Sequence, residues 1–103
     1  MGYEITETFA GSHHWGCVLT NDSETWCIQF EYFFPDNGDP EYTELKCWHT
    51  PSPNEPLTIF GYINYVNAIK YDEDNPVECI STFLKVPDET IRYIIKRKAI
   101  DRL

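Results

Sequence analysis

The chain has 103 residues, of which 42% are hydrophobic, 16% aromatic and 24% charged. This composition excludes the disordered class, whose low hydrophobicity cannot offset the entropy of ordering, and it suits one globular domain spanning 1–103. No apolar run approaches the roughly 18 residues that cross a bilayer, and the first residues lack the basic and apolar segments of a signal peptide. We therefore expect a soluble, cytoplasmic protein.

The charge is large, negative and unevenly distributed. The 17 Asp and Glu residues outnumber the 8 Lys and Arg residues, for a net charge of -9. Residues 1–91 hold 16 of the acids and only 3 lysines, whereas residues 92–103 hold 5 cations and one acid. The acidic body should repel nucleic acid and anionic membranes, because phosphate affinity comes mainly from cations. Acidity of this kind either serves solubility or selects a basic partner.

The first third of the chain carries the alternation typical of strands. Apolar and polar residues alternate over 3–9 until the sequence Ala-Gly-Ser at 10–12 breaks the pattern. Residues 13–20 and 23–34 flank Asn-Asp, two residue types that tolerate the backbone of a tight turn. The sequence therefore predicts three strands in succession.

A second turn follows the third strand. The segment Pro35–Pro40 contains Asn37-Gly38, the strongest hairpin signal in the chain, and it leads into another alternating segment at 41–50. Residues 13–50 are thus predicted to form an antiparallel meander with 23–34 as its central strand.

Two-residue hairpins also predict which residues lie opposite each other. The first turn places Cys17 opposite Trp26 and Trp15 opposite Ile28. The second turn places Trp26 opposite His49, Ile28 opposite Cys47, Phe30 opposite Leu45, and Tyr32 opposite Thr43. One face of the sheet then collects the predicted core residues Trp15, Cys17, Leu19, Trp26, Ile28, Phe30, Leu45 and Cys47.

The other face of the second hairpin has an unusual composition for a solvated surface. It pairs Cys27 with Trp48, Gln29 with Lys46, Glu31 with Glu44, and Phe33 with Tyr42. Like charges directly opposite are mildly destabilising, and aromatic patches rimmed by polar groups mark interaction sites. Either a helix at 57–70 or 91–102 covers this face, or a partner does. The predicted partner-binding residues are Glu31, Phe33, Asp36, Asp39, Tyr42, Glu44 and Trp48.

The second half of the chain alternates between breakers and apolar segments. Three prolines at 51–56 predict a stiff connector. Residues 57–70 are ambiguous between helix and strand, and we predict a helix because Asn54 and Pro56 precede isoleucines and a valine at helical spacing. An acidic turn at 72–76 precedes a predicted strand at 77–86.

The chain ends in a predicted helix that opens at Pro87-Asp88-Glu89-Thr90. Isoleucines 91, 94 and 95 share one face of it, but the apolar pattern ends at Lys96, so the last turn is expected to fray. The predicted fold class is α+β, an antiparallel meander of three to five strands packed by one or two helices.

The cysteines do not have the spacing of a metal or disulfide framework. Cys17, Cys27, Cys47 and Cys79 are widely separated, without the short Cys-x-x-Cys spacing that zinc sites use. Cys47 and His49 share a face with Cys17, but apolar neighbours stand between them. We expect buried free thiols and a fold that requires no metal, disulfide or other cofactor.

The histidines do not accompany a catalytic motif. His13 and His14 follow Ser12, but the sequence contains no nucleophile elbow or phosphate-binding loop. The expected protein is not an enzyme, although catalysis by His13, His14 or His49 stays open.

Three classes of function remain. The first is a protein-binding module, an inhibitor or adaptor that docks on a basic, nucleic-acid-handling protein with its carboxylates imitating phosphates. Small acidic phage inhibitors, such as anti-CRISPR and anti-restriction proteins, have this general character, although no residues are matched. The second is a small-ligand-binding regulatory domain with a pocket lined by Trp and Tyr. The third is an enzyme.

Overall fold

One antiparallel sheet and two helices make up the described part of the chain. The computed structural model describes residues 2–50 and 65–101. In these ranges the strands follow one another in sheet order, and the helices come last: β1 Glu4–Gly11, β2 His14–Thr20, β3 Thr25–Phe33, β4 Tyr42–Thr50, β5 Tyr65–Lys70, α1 Pro76–Ser81 and α2 Asp88–Asp101. The predicted α+β meander with a C-terminal helix is confirmed. The connector at 51–56 and the predicted helical residues 57–64 lie outside the described residues.

The predicted register is correct for one hairpin and wrong by two residues for the other. The β3–β4 pairs, including Trp26 with His49 and Phe30 with Leu45, are those predicted. In the β2–β3 hairpin, Cys17 lies opposite Ile28 rather than Trp26.

The side chain of Asn21 explains the two-residue difference. Its Oδ1 accepts backbone hydrogen bonds from Ser23 (2.8 Å) and Glu24 (3.0 Å), and its backbone N–H donates to the Glu24 carbonyl at 3.1 Å. The turn therefore has four residues instead of two. Because a shift of two preserves the alternation of side chains, the predicted faces survive.

The helices pack on the predicted core face. All eight predicted residues are buried there, together with side chains from both helices. Ile80 comes from α1, Phe83 and Leu84 come from the turn that follows α1, and Ile91 and Ile94 come from α2. The helix predicted at 91–102 therefore does not cover the face that carries Phe33 and Tyr42.

Two predictions for the second half of the chain are wrong. Residues 65–70 form the strand β5, which pairs with β4 so that Ile69 lies opposite Leu45. The predicted strand at 77–86 is instead the helix α1 and a turn, with Pro76 in its first turn. Ile80, Phe83 and Leu84 are spaced for one helical face, and β-branched residues form a strand only where a partner strand is available.

The last turns of α2 are held in place rather than frayed. Asp101 accepts a hydrogen bond from Trp15 Nε1 at 2.9 Å and pairs with Arg97. The ammonium of Lys98 lies 4.9 Å from the centroid of the Phe30 ring, with the rings of Tyr32 and Tyr71 also within 6 Å. These polar and cation–π contacts replace the apolar pattern that ends at Lys96.

β1 continues through Ala10 and Gly11, past the predicted break, before the chain turns at Ser12-His13.

In the described part of the chain, neither α1 nor α2 has the length and apolar character that crossing a membrane requires.

Candidate functional site

Three connections meet at one end of the sheet. They are the β1–β2 turn at 12–13, the β3–β4 loop at 34–41 and the turn at 71–75 that follows β5. Backbone hydrogen bonds join them to the strands, since Tyr32 donates to the His13 carbonyl and Tyr71 donates to the Thr43 carbonyl, both at 2.7 Å. Residues distant in sequence are therefore neighbours here.

Aromatic side chains are exposed at this end. The rings of Phe33 and Tyr42 stack with centroids 4.9 Å apart and planes inclined by 12°. Tyr42 is 37% exposed and Phe34 is 49% exposed, and His13 lies 5.5 Å from the Phe34 ring. Among the described residues, Phe34 and Tyr42 are two of the four exposed large hydrophobic side chains, and the other two, Tyr93 and Ile100, lie on α2.

Carboxylates lie at the same end of the sheet as these rings. They lie on the β3–β4 loop, on β4 and on the turn after β5: Asp36, Asp39, Glu41, Glu44, Asp72, Glu73 and Asp74. All except the half-buried Glu44 are exposed, and none has a cation within 4 Å in the described part of the chain. We call these seven acids with Phe33, Phe34 and Tyr42 the acidic end.

Two lysines balance the like-charged pair of Glu31 and Glu44 on the sheet. These acids lie directly opposite each other, as predicted. Lys46 Nζ lies 3.0 Å from Glu31 Oε1, and Lys70 lies opposite Glu44 on β5 with its Nζ 5.7 Å from the Tyr42 ring centroid. Glu31 is therefore engaged within the protein, whereas no cation of the described residues lies within 4 Å of Glu44.

Trp48 is separate from the other predicted site residues. It shares their face, but it is only 5% exposed and packs with Val18, Cys27 and Phe9. It lies six positions along β4 from Tyr42, about 20 Å away at roughly 3.4 Å per residue. The structure thus brings together Phe33, Asp36, Asp39, Tyr42 and Glu44, and it places Trp48 in a buried cluster elsewhere.

Several residues of the acidic end were missed by sequence reasoning. Phe34 and Glu41 flank the predicted turn at 35–40. Residues beside an Asn-Gly turn are usually exposed, and this signal could have indicated that both side chains face solvent. The acids at 72–74 gave no such signal, because their position depends on β5, which was predicted as a helix.

A second polar cluster, which we call the Glu24 cluster, lies at the opposite end of the sheet. The carboxylate of Glu24 accepts hydrogen bonds from the hydroxyl of Tyr3 and from Trp26 Nε1 at 2.9 Å. His49 Nε2 lies 2.8 Å from the other carboxylate oxygen, and its ring stacks on Trp26 with centroids 4.1 Å apart.

The hydrogen bonds set the ionisation of Glu24. Burial alone would raise its pKa, but the bonds from Tyr3, Trp26 and His49 outweigh burial and hold the pKa below the ordinary value of 4.5. Burial together with the bond to Glu24 raises the pKa of Tyr3. The cluster therefore ties the beginning of β1 to β3 and β4 around one charged carboxylate.

Within residues 2–50 and 65–101, no activated thiol accompanies Glu24 and His49. A histidine beside a carboxylate resembles the orienting pair of acid–base catalysts, which also need an activated thiol or hydroxyl. Burial raises the pKa of Cys27 to about 12 and also raises the pKa values of Cys17 and Cys47, so these thiols stay protonated. His13 and His14 lie at the other end of the sheet.

No three His, Cys, Asp or Glu side chains converge on a point that could hold a metal within residues 2–50 and 65–101. The four cysteines are free thiols. Cys17 and Cys47 lie on either side of Ile28 on the core face, whereas Cys27 points to the other face.

Comparisons with protein families, with curated proteins and with solved structures find no match for this chain.

Proposed function

We propose that the protein is a protein-binding module, an inhibitor or adaptor that uses the acidic end to dock on a basic, nucleic-acid-handling protein. One observation carries the proposal. A stacked aromatic pair, with Tyr42 37% exposed, lies at the same end of the sheet as six exposed carboxylates from two loops.

The two kinds of side chain have different roles in the proposed complex. Buried aromatic anchors supply most of the affinity of an interface, whereas charged rim residues steer association and select the partner. Tyr42 and Phe34 are the proposed anchors. Asp36, Asp39 and Glu41 are the proposed rim, and their carboxylates would occupy the phosphate-binding sites of the partner.

The remaining predicted contact residues support these anchors. Phe33 fixes the Tyr42 ring by stacking, which lowers the entropy lost on binding. The buried Trp48 is proposed to stabilise the sheet beyond the interface rather than to touch the partner.

Capture from a cell lysate with immobilised protein tests the proposal. The bait variants are the wild type, Tyr42→Ala, and Ile100→Ala as a control that also truncates an exposed apolar side chain. Ile100 is 55% exposed and lies on α2, outside the acidic end. Thermal melting of each variant verifies that it is folded before capture.

We expect wild type and Ile100→Ala to retain the same basic, nucleic-acid-handling protein, and Tyr42→Ala to lose it. High salt should release the captured protein, because exposed charges are screened. Equal capture by all three proteins, or a captured set without basic proteins, would contradict the proposal.

A further inference from the structure

A groove separates the beginning of β1 from the first half of α2. Its volume is about 690 Å³, within the range of small-molecule sites. Tyr3, Ile5 and Leu19 line it from the sheet, and Arg92, Tyr93 and Lys96 line it from the helix. A smaller hollow along β1 shares Tyr3, Ile5 and Tyr93 with it. The groove lies at the end of the sheet opposite the acidic end.

Two cations of α2 line the groove and form no ion pair within the described residues. Arg97 pairs with Asp101, and Lys98 lies over the rings of Phe30, Tyr32 and Tyr71. Arg92 and Lys96 are exposed, and no carboxylate lies within 4 Å of either in the described residues. Being four residues apart, they share one face of the helix and can approach the same anion.

Two phenol rings border the same space. The Tyr3 hydroxyl is bonded to Glu24, so the Glu24 cluster fixes this ring as one wall. Tyr93 stands on the helix with half of its surface exposed. Buried Leu19 and half-buried Ile5 give the groove an apolar floor. A flat ring could lie on this floor between the two phenols.

Glu89 also lines the groove, and its charge limits where an anion can sit. It lies one helical turn before Arg92 and two turns before Lys96. An anionic group is therefore favoured at the Lys96 end, whereas the Glu89 end suits a hydroxyl or amine donor.

We propose that this groove binds a small organic anion, a phosphate or carboxylate carried on a flat aromatic ring. The guanidinium of Arg92 and the ammonium of Lys96 hold the anionic group, and Tyr3 and Tyr93 contact the ring. A protein with a net charge of -9 repels anions in general, so saturable binding of one requires a local site.

NMR titration of the full chain tests this assignment with adenosine 5′-monophosphate as the probe. Adenosine and inorganic phosphate are titrated separately, because each carries only one half of the proposed ligand. The variants are Arg92→Gln and Lys96→Gln, with Lys85→Gln as a control that removes the same charge outside the groove. These lysines and the arginine are exposed, so the fold should persist in each variant.

The expected result is saturable binding with shifts concentrated at residues 3–5 and 89–96. Adenosine and phosphate should each bind at least tenfold more weakly, and Arg92→Gln or Lys96→Gln should weaken the nucleotide by about tenfold. Lys85→Gln should change its affinity by less than about twofold. Absence of saturation, shifts located elsewhere, phosphate binding as tightly as the nucleotide, or an equal loss in Lys85→Gln would overturn the proposal. These outcomes are independent of whether the acidic end captures a partner.

Discussion

Replacing Glu24 with Gln should destabilise the protein by about 2 kcal/mol. The change keeps the size of the side chain but removes the charge that accepts hydrogen bonds from Tyr3, Trp26 and His49. Hydrogen bonds to charged groups contribute about 1.5–3 kcal/mol each. The loss falls in the lower part of that range for the whole change, because the side chains of Glu24 and His49 are 24% and 29% exposed and Gln retains one acceptor oxygen.

Urea unfolding measures this loss, and Glu4→Gln is its control. Glu4 is exposed on β1, and removing its charge should be neutral or slightly stabilising in a protein of net charge -9. For a domain of this size, 2 kcal/mol corresponds to a fall in melting temperature of roughly 8–16 °C. Equal stability of Glu24→Gln and Glu4→Gln would refute the structural role of the Glu24 cluster.

The difference between wild type and Glu24→Gln should also depend on pH. The pKa of Glu24 is lower in the folded protein than the ordinary value of 4.5, so the folded state favours the charged form. The resulting stability is fully present above pH 4.5 and is lost as the pH falls through the folded pKa. A difference that stays constant from pH 7 to pH 3 would show that the charge of Glu24 is not responsible.

Three further predictions concern the packing. Lys98→Met should lower the free energy of unfolding in urea by about 1–2 kcal/mol, because the variant loses the contacts of the ammonium with Phe30, Tyr32 and Tyr71. Lys96→Met, which changes an exposed lysine on the same helix, should have little effect, and equal losses in the two variants would exclude the cation–π account. Gly16→Ala should cost about 1–3 kcal/mol, because the added Cβ would collide with the Phe9 ring and lie 2.7 Å from the Ile28 carbonyl, and an unchanged unfolding midpoint would contradict this packing. Ellman's reagent should modify the half-buried Cys79 before the other three thiols, which should react only after denaturation. Equal reaction of all four thiols in the native protein would contradict the burial of Cys17, Cys27 and Cys47.

The sequence predicted the β2–β4 part of the fold well because alternation is a local property. Trp26, Ile28 and Phe30 occupy every second position of β3, and both neighbouring strands repeat this pattern. The Asn37-Gly38 turn lies at the centre of an eight-residue loop, so the predicted pairs stayed correct although the loop is longer than two residues. The turn at Asn21 is two residues longer than predicted, so each residue of β2 pairs with a different residue of β3, but its side chain stays on the predicted face of the sheet.

The sequence predicted the second half of the chain less well because contacts with residues distant in sequence determine its secondary structure. Val77 and Val86 favoured a strand, yet Pro76 opens a helix there, and Ile80 and Leu84 pack into the core. Residues 65–70 became a strand because the edge of β4 was available for pairing.

The candidate site was partly predictable for the same reason. Alternation placed Phe33, Tyr42, Glu44 and Trp48 on one face, but it cannot give the exposure of each residue or its distance along the strand. Trp48 lies about 20 Å from Tyr42 and is buried because it packs against Val18 and Cys27 on the neighbouring strands.

The salt dependence of association with the captured basic partner tests the central claim most directly. Association rates are measured from low to high salt for three proteins: wild type, a double variant that carries Asp36→Asn and Asp39→Asn, and a control double variant that carries Glu4→Gln and Asp22→Asn. The control removes the same number of charges, and Glu4 and Asp22 are exposed but lie away from the acidic end. Docking through the acidic end predicts that wild type and control associate rapidly at low salt and lose this rate steeply as salt rises. The Asp36 and Asp39 double variant should associate more slowly and with a flatter dependence. Identical slopes for all three proteins would contradict the claim.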